Sequence, residues 1–167
     1  MDFSYSEVQQ MLQDSVKKFV SKNYDFDTRS KIIESDSGYS EENWKLFAEL
    51  GWLTVPFSEE DGGLGGSAVD LMVMMEEFGK ANLVEPFLPS AVIGGSLVAE
   101  LATNDQKSQI LEKVVGGNLQ LAYASAETGS RFNVCLLYTS PSPRDQRGWG
   151  VGGGGLVEIW GGGGGGG

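Results

Sequence analysis

Histidine is absent from the 167 residues, and cysteine occurs once. Without histidine, no imidazole is available for proton transfer near neutral pH, and a His-ligated metal is excluded. The lone Cys135 forbids an internal disulfide framework and any cysteine cluster for zinc. Positive charge is scarce too. Twelve Lys and Arg stand against 23 Asp and Glu, for a net charge of −11. That balance argues against nucleic acid and anionic membranes as partners. The apolar runs are all far too short to span a membrane. The opening Met1-Asp2-Phe3-Ser4 has neither the basic start nor the apolar stretch of a signal peptide, so a cytoplasmic location is expected. What is present, 40% hydrophobic residues in a chain of this length, suits one globular domain with a real core.

The composition is uneven. All of the net charge lies in residues 1–134, and the last 20 residues hold 13 of the 25 glycines. Residues 135–145, Cys-Leu-Leu-Tyr-Thr-Ser-Pro-Ser-Pro-Arg-Asp, resemble a translated sequencing adapter of the transposase type. The glycine runs after it resemble translated poly-G. The competing reading is a natural Pro/Ser hinge followed by a flexible glycine linker. On the adapter reading, 135–167 is foreign to the gene, is expected to be disordered, and is kept out of fold reasoning. Leu156 to Trp160, between the glycine runs, has no account in these terms.

Residues 1–134 carry helical periodicity. Ser4-x-x-Glu7 is a capping box, so the first helix is expected over 5–22, with Val8, Met11, Leu12, Val16, Phe19 and Val20 as its apolar stripe. A short helix is expected over 27–34 with Ile32 and Ile33 buried. Ser40 caps a third, whose buried face is Trp44, Leu46, Phe47 and Leu50, and Gly51 stops it. Trp52 to Phe57 reads as a buried extended connector, since Pro56 argues against a central strand. Ser67 caps a helix from Ala68 to about Lys80 that is apolar around much of its circumference. Further helices are expected over 90–102, where Gly94-Gly95 admits a close neighbour, and from an Asn104 cap through Val115. Leu119, Leu121 and Tyr123 then alternate with Gln120 and Ala122, the pattern of a strand.

Few residues stand out chemically. Gly63-Leu64-Gly65-Gly66-Ser67-Ala68 fits G-x-G-x-x-[GA] before a helix. A glycine turn is preferred to a dinucleotide loop there, because the neighbouring Glu59-Glu60-Asp61 would repel phosphate. Glu76 and Glu77, adjacent on a helix, read as a solvated face rather than a catalytic pair. Met72, Met74 and Met75 read as core packing rather than a ligand channel. The stretch 123–130 offers backbone amides and hydroxyls suited to a cofactor. From composition alone, a hairpin turn is the preferred reading.

In order and spacing, these residues resemble the N-terminal part of the acyl-CoA dehydrogenase family. The resemblance runs through the opening helix with Glu7-Val8-Gln9-Gln10 and through residues 43–52, continuing to Val55-Pro56 and Gly62-Gly63-Leu64-Gly65. It resumes at residues 75–80 with Val84-Glu85-Pro86, and at Gln106-Lys107 to Gly116-Gly117 followed by 121–130. Glu85-Pro86-Phe87-Leu88 and Glu127 to Asn133 look most like the bacterial branch that includes pimeloyl-CoA dehydrogenase small subunits. The resemblance implies an all-α fold class here: an N-terminal helical bundle over 1–117, the truncated start of a flavin-binding β domain over 118–134, and the tail 135–167. It further implies a protein that uses FAD to oxidise an acyl-CoA substrate to the 2,3-enoyl-CoA, assembles as a homo- or hetero-oligomer, and passes electrons to an electron-transferring flavoprotein. No catalytic residue is expected in this chain, since the family's carboxylate base lies in a later domain. The family's Thr-Glu-Pro-x-x-Gly-Ser stretch, which touches the flavin, is similar to Ala126-Glu127-Thr128-Gly129-Ser130. The usual threonine hydroxyl is missing at Ala126, and the two-residue spacer is absent. Tyr123, Ala124, Ser125, Ala126 and Ser130 are therefore the flavin-binding candidates. A non-catalytic helical interaction module, or a partner subunit without the base, remains the alternative.

Overall fold

The computed structural model describes residues 4–124 and the backbone of 156–160. Six α-helices make up most of it: α1 (Glu7–Asn23), α2 (Phe26–Ile33), α3 (Glu41–Glu49), α4 (Ala68–Lys80), α5 (Gly95–Leu101) and α6 (Asn104–Val115). The expected helical class holds. The strand β1 (Gln120–Ala124) follows α6.

Side-chain caps set most helix starts, with some shifts from expectation. The capping box of α1 is Ser6 with Gln9, two residues beyond Ser4-x-x-Glu7. Both tetrads satisfy the same pattern, so spacing alone does not choose between them. Thr103 with Gln106 caps α6, one residue before Asn104. Asp25 starts α2, whose Ile33 is exposed rather than buried. Gly51 ends α3 in the left-handed region at φ 73°, as a helix stop requires.

Two connections differ in kind. Trp52 to Phe57 is buried, but it is coiled rather than extended. Trp52–Thr54 forms a 3-10 turn, and the Phe57 amide donates to the Thr54 carbonyl. Coiling lets four neighbouring apolar side chains, Trp52, Leu53, Val55 and Phe57, all turn inward, which an alternating strand cannot do. The helix expected over 90–102 starts earlier. A π-helical segment, Phe87–Gly94, precedes and continues into α5.

The core has two parts. Phe47 is the hub of the first, with ring centroids 5.2 Å from Phe19, 4.9 Å from Trp52 and 5.7 Å from Phe78. The second gathers Phe57, Val98, Leu111, Val114, Leu119 and Leu121 between α5, α6 and β1. The stripe of α1 is narrower than its apolar residues suggest. Val16 and Phe19 are buried, whereas Val8 and Met11 stand 71% and 73% exposed. Met74 is fully buried and Met72 is half exposed, so the methionines of α4 divide between core and surface.

Gly94 and Gly95 do admit close neighbours. A Cβ on Gly94 would lie 2.6 Å from the Leu121 Cβ, and one on Gly95 would overlap the Phe57 ring. In an exposed helix, Gly→Ala gains up to about 1 kcal/mol. Here the sign reverses. Gly95→Ala is expected to lose about 1–3 kcal/mol through overpacking, read as a lower denaturation midpoint.

Part of the tail departs from expectation. Leu156–Trp160 forms a second strand, β2, antiparallel to β1, with Leu121 opposite Ile159 and Tyr123 opposite Val157. Its β-branched Val157 and Ile159 favour extended backbone, and β1 offers an edge to pair with. The rest of 135–167 lies outside the described residues.

Candidate functional site

The strand β1 enters from the second core and leaves it within five residues. Leu119 and Leu121 are buried, while Ala122, Tyr123 and Ala124 are exposed. Tyr123 and Ala124, two of the five flavin candidates, thus sit together on the accessible end of β1. Ser125, Ala126 and Ser130 lie outside the described residues. The other end of β1 is anchored. The Leu121 amide donates to the hydroxyl of Ser90 at 2.9 Å, and both residues are buried.

The glycine loop has no amides left for a phosphate. Gly63 N–H donates to Ser58, Leu64 to Thr54, Gly65 to Phe57 and Gly66 to Val55, all at backbone carbonyls. Absent side chains permit this closure. A Cβ on Gly66 would lie 2.6 Å from the Val55 carbonyl oxygen, and one on Gly63 would overlap the backbone of Phe57. The cleft beside the loop, about 470 Å³, sets Glu60, Asp61 and Glu112 against Lys107. Its charge is wrong for an anion.

The helix after the loop begins on a polar clamp. Asp70 accepts from both the amide and the hydroxyl of Ser67, each at 2.6 Å. The Ser67 hydroxyl holds the Asp70 carboxyl below its ordinary value of 3.8. A lowered carboxylate stabilises the fold fully above that ordinary value and loses its contribution as pH falls through the lower folded value. Below about pH 4, the wild-type chain is therefore expected to lose stability more steeply than Asp70→Asn. Acid denaturation followed by circular dichroism checks this.

Glu77 is not on a solvated face. It is 5% exposed, accepts from Gln13 of α1 at 3.0 Å, and pairs with Lys80 at 2.8 Å. Glu76 is exposed and shares Lys80, at 2.9 Å. Hydrogen bonding from Lys80 lowers the Glu76 carboxyl. The two acids do not face each other, yet a long lysine three and four residues on reaches both. Glu77 ties α4 to α1 through Gln13, and Glu76 accepts from Tyr5 just before α1.

One polar cluster gave no signal in the sequence. Glu85, 5% exposed, accepts from Tyr24 Oη at 2.9 Å and from Asn43 Nδ2 at 2.8 Å. The Tyr24 oxygen accepts in turn from the Val84 amide at 2.8 Å. Burial pushes the Tyr24 hydroxyl well above its ordinary value, and the Glu85 charge adds to this against the opposing Val84 bond. The cluster joins the end of α1, the start of α3 and the turn before the π-helical segment. Its residues are 61 and 42 apart in the chain, so no local pattern reveals it.

Comparison with known proteins gives this geometry its context. The family model described as the acyl-CoA dehydrogenase N-terminal domain matches residues 6–118. The chain belongs to the acyl-CoA dehydrogenase family. Acyl-CoA dehydrogenase FadE12 of Mycobacterium tuberculosis is 31% identical over 116 residues, covering 69% of this chain and 30% of that one. The structure of a Tcur3481-Tcur3483 steroid ACAD variant matches at a TM-score of 0.68 with 27% identity, over 75% of this chain and 34% of that one. An acyl-CoA dehydrogenase from Bacillus anthracis, complexed with FAD, shares the fold at a TM-score of 0.69 and 22% identity, over 79% and 23% of the two chains. The chain thus spans about a third of the length of the curated relatives it matches.

Among the described residues, the candidates for flavin contact are Tyr123 and Ala124, at the outer end of β1. Ala122 and Ala124 carry small exposed side chains there and Tyr123 is 43% exposed, while one backbone edge of β1 is taken by β2. The glycine loop, with its amides closed on themselves, does not compete for the role. Among the described residues, no helix is long and apolar enough to cross a membrane.

Proposed function

We propose that residues 1–134 are the helical N-terminal portion of a flavin-dependent acyl-CoA dehydrogenase that oxidises acyl-CoA to 2,3-enoyl-CoA. The observation that carries this is the family match over residues 6–118, which ends just before β1, the strand whose Tyr123 and Ala124 are exposed. On this reading 1–117 is the helical domain and 118–134 begins the flavin-binding β domain. Residues 135–167 are then foreign to the gene. Tyr123, Ala124, Ser125, Ala126 and Ser130 would hold FAD, with backbone contacts from Ala124 to Ala126. When bound, the flavin accepts the hydride from the acyl chain. This chain's own part is to present the strand and cover it with helices. Proton abstraction belongs to a carboxylate outside these residues. Electron-transferring flavoprotein is the proposed acceptor, the complete subunit is a homo- or hetero-oligomer, and the location is cytoplasmic.

The 167-residue chain is expected to purify colourless and to turn over no acyl-CoA. A longer reading frame continued past Val134 is expected to give a yellow protein that acyl-CoA bleaches. Absorbance near the flavin band reads both. A yellow 167-residue chain that bleaches would refute the division of labour. A genomic clone encoding Cys135 to Gly167 in frame would refute the assignment of the tail.

A further inference from the structure

We propose that Ser90 is a positioning residue whose hydroxyl sets the point at which β1 leaves the helical layer. Ser90 lies within the π-helical segment Phe87–Gly94 and has no exposed surface. Its hydroxyl accepts the Leu121 amide at 2.9 Å, across 31 residues of chain. A π-helical segment advances less per residue than an α-helix and re-aims the side chains on its face. Here Phe87, Ser90, Ala91 and Gly94 all turn inward. Gly94 supplies the second half of the fit, because Leu121 occupies the space its side chain would take. One polar bond and one steric contact therefore fix the same strand residue. A strand slipped by one residue would put Ala122 against Gly94 and turn Leu121 outward, since strand side chains alternate. Tyr123 and Ala124 follow two and three residues beyond the anchored amide, so their placement depends on it.

This deepens the flavin reading, and its test does not depend on flavin. Amide exchange is followed in the flavin-free 167-residue chain. In Ser90→Ala the Leu121 amide is expected to exchange about tenfold faster, from loss of one buried hydrogen bond. The amides of α1 and α4 should keep their protection. Ser90→Thr keeps the hydroxyl and should hold Leu121 near its original rate. A Leu121 amide as slow in Ser90→Ala as in the wild type overturns the proposal. So does acceleration spread evenly over α1 to α6, which marks general loss of stability rather than positioning. If Ser90→Ala does not fold, Ser90→Thr decides: a folded chain with slow Leu121 exchange supports the assignment, and one with fast exchange overturns it. Failure of the flavin assignment alone would leave these rates unchanged.

Discussion

Glu85→Ala is expected to lower stability by about 2–3 kcal/mol, because it leaves the buried Tyr24 hydroxyl and the half-buried Asn43 amide without an acceptor, at about 1–3 kcal/mol for a buried donor and less for one nearer water. The donors are Tyr24 Oη and Asn43 Nδ2, held at 2.9 and 2.8 Å. The Tyr24 hydroxyl is buried with Glu85, whereas Asn43 is half-buried. Glu85→Gln should cost less, about 1–2 kcal/mol, because the amide retains one acceptor oxygen. Tyr24→Phe removes a donor and also the acceptor for the Val84 amide. In a double-mutant cycle by urea denaturation, Tyr24→Phe with Glu85→Ala is expected to lose less than the sum of the single losses. Additive losses would show that Tyr24 and Glu85 do not act as one unit.

Trp52→Ala is the second large effect, at about 3–5 kcal/mol for truncation of a buried aromatic. Trp52 is 1% exposed and meets Phe19 at 5.4 Å, Phe47 at 4.9 Å and Phe78 at 5.6 Å between ring centroids. Rings from α1, α3 and α4 thus converge on one residue of a 3-10 turn. Because they come from different helices, the cavity left by alanine has little chance to collapse. A loss that large is a substantial fraction of the stability of an ordinary domain. Near-native stability in Trp52→Ala, by thermal or chemical denaturation, would mean that the turn is not the keystone of the first core.

Both effects arise where local rules have least to say. Helix positions follow from patterns within one or two turns, and Ser40, Gly51 and Ser67 act as caps or stops where the residues predict. Caps with a nearby rival are less legible. Ser4 and Ser6 each begin a valid tetrad, and the structure uses the second. Trp52 to Phe57 was legible as buried but not as coiled, since an apolar run gives burial without geometry. Glu77 looked solvated because a sequence does not show Gln13 and Lys80 waiting beside it. The flavin candidates are half visible by the same logic: alternation identifies the strand carrying Tyr123 and Ala124, and nothing local identifies Ser90 as its anchor.

The residues alone determined the helical class, the starts of α3 and α4, the strand after Gly117 and the absence of imidazole chemistry and of an internal disulfide. Each of these depends on spacing within a few residues or on composition. Tertiary structure decided which acids are buried, which amides of the glycine loop are already taken, and which hydroxyl meets β1. Those outcomes depend on groups brought together from up to 61 residues apart, and a buried polar group's partner is fixed by where the helices pack rather than by its neighbours in the chain.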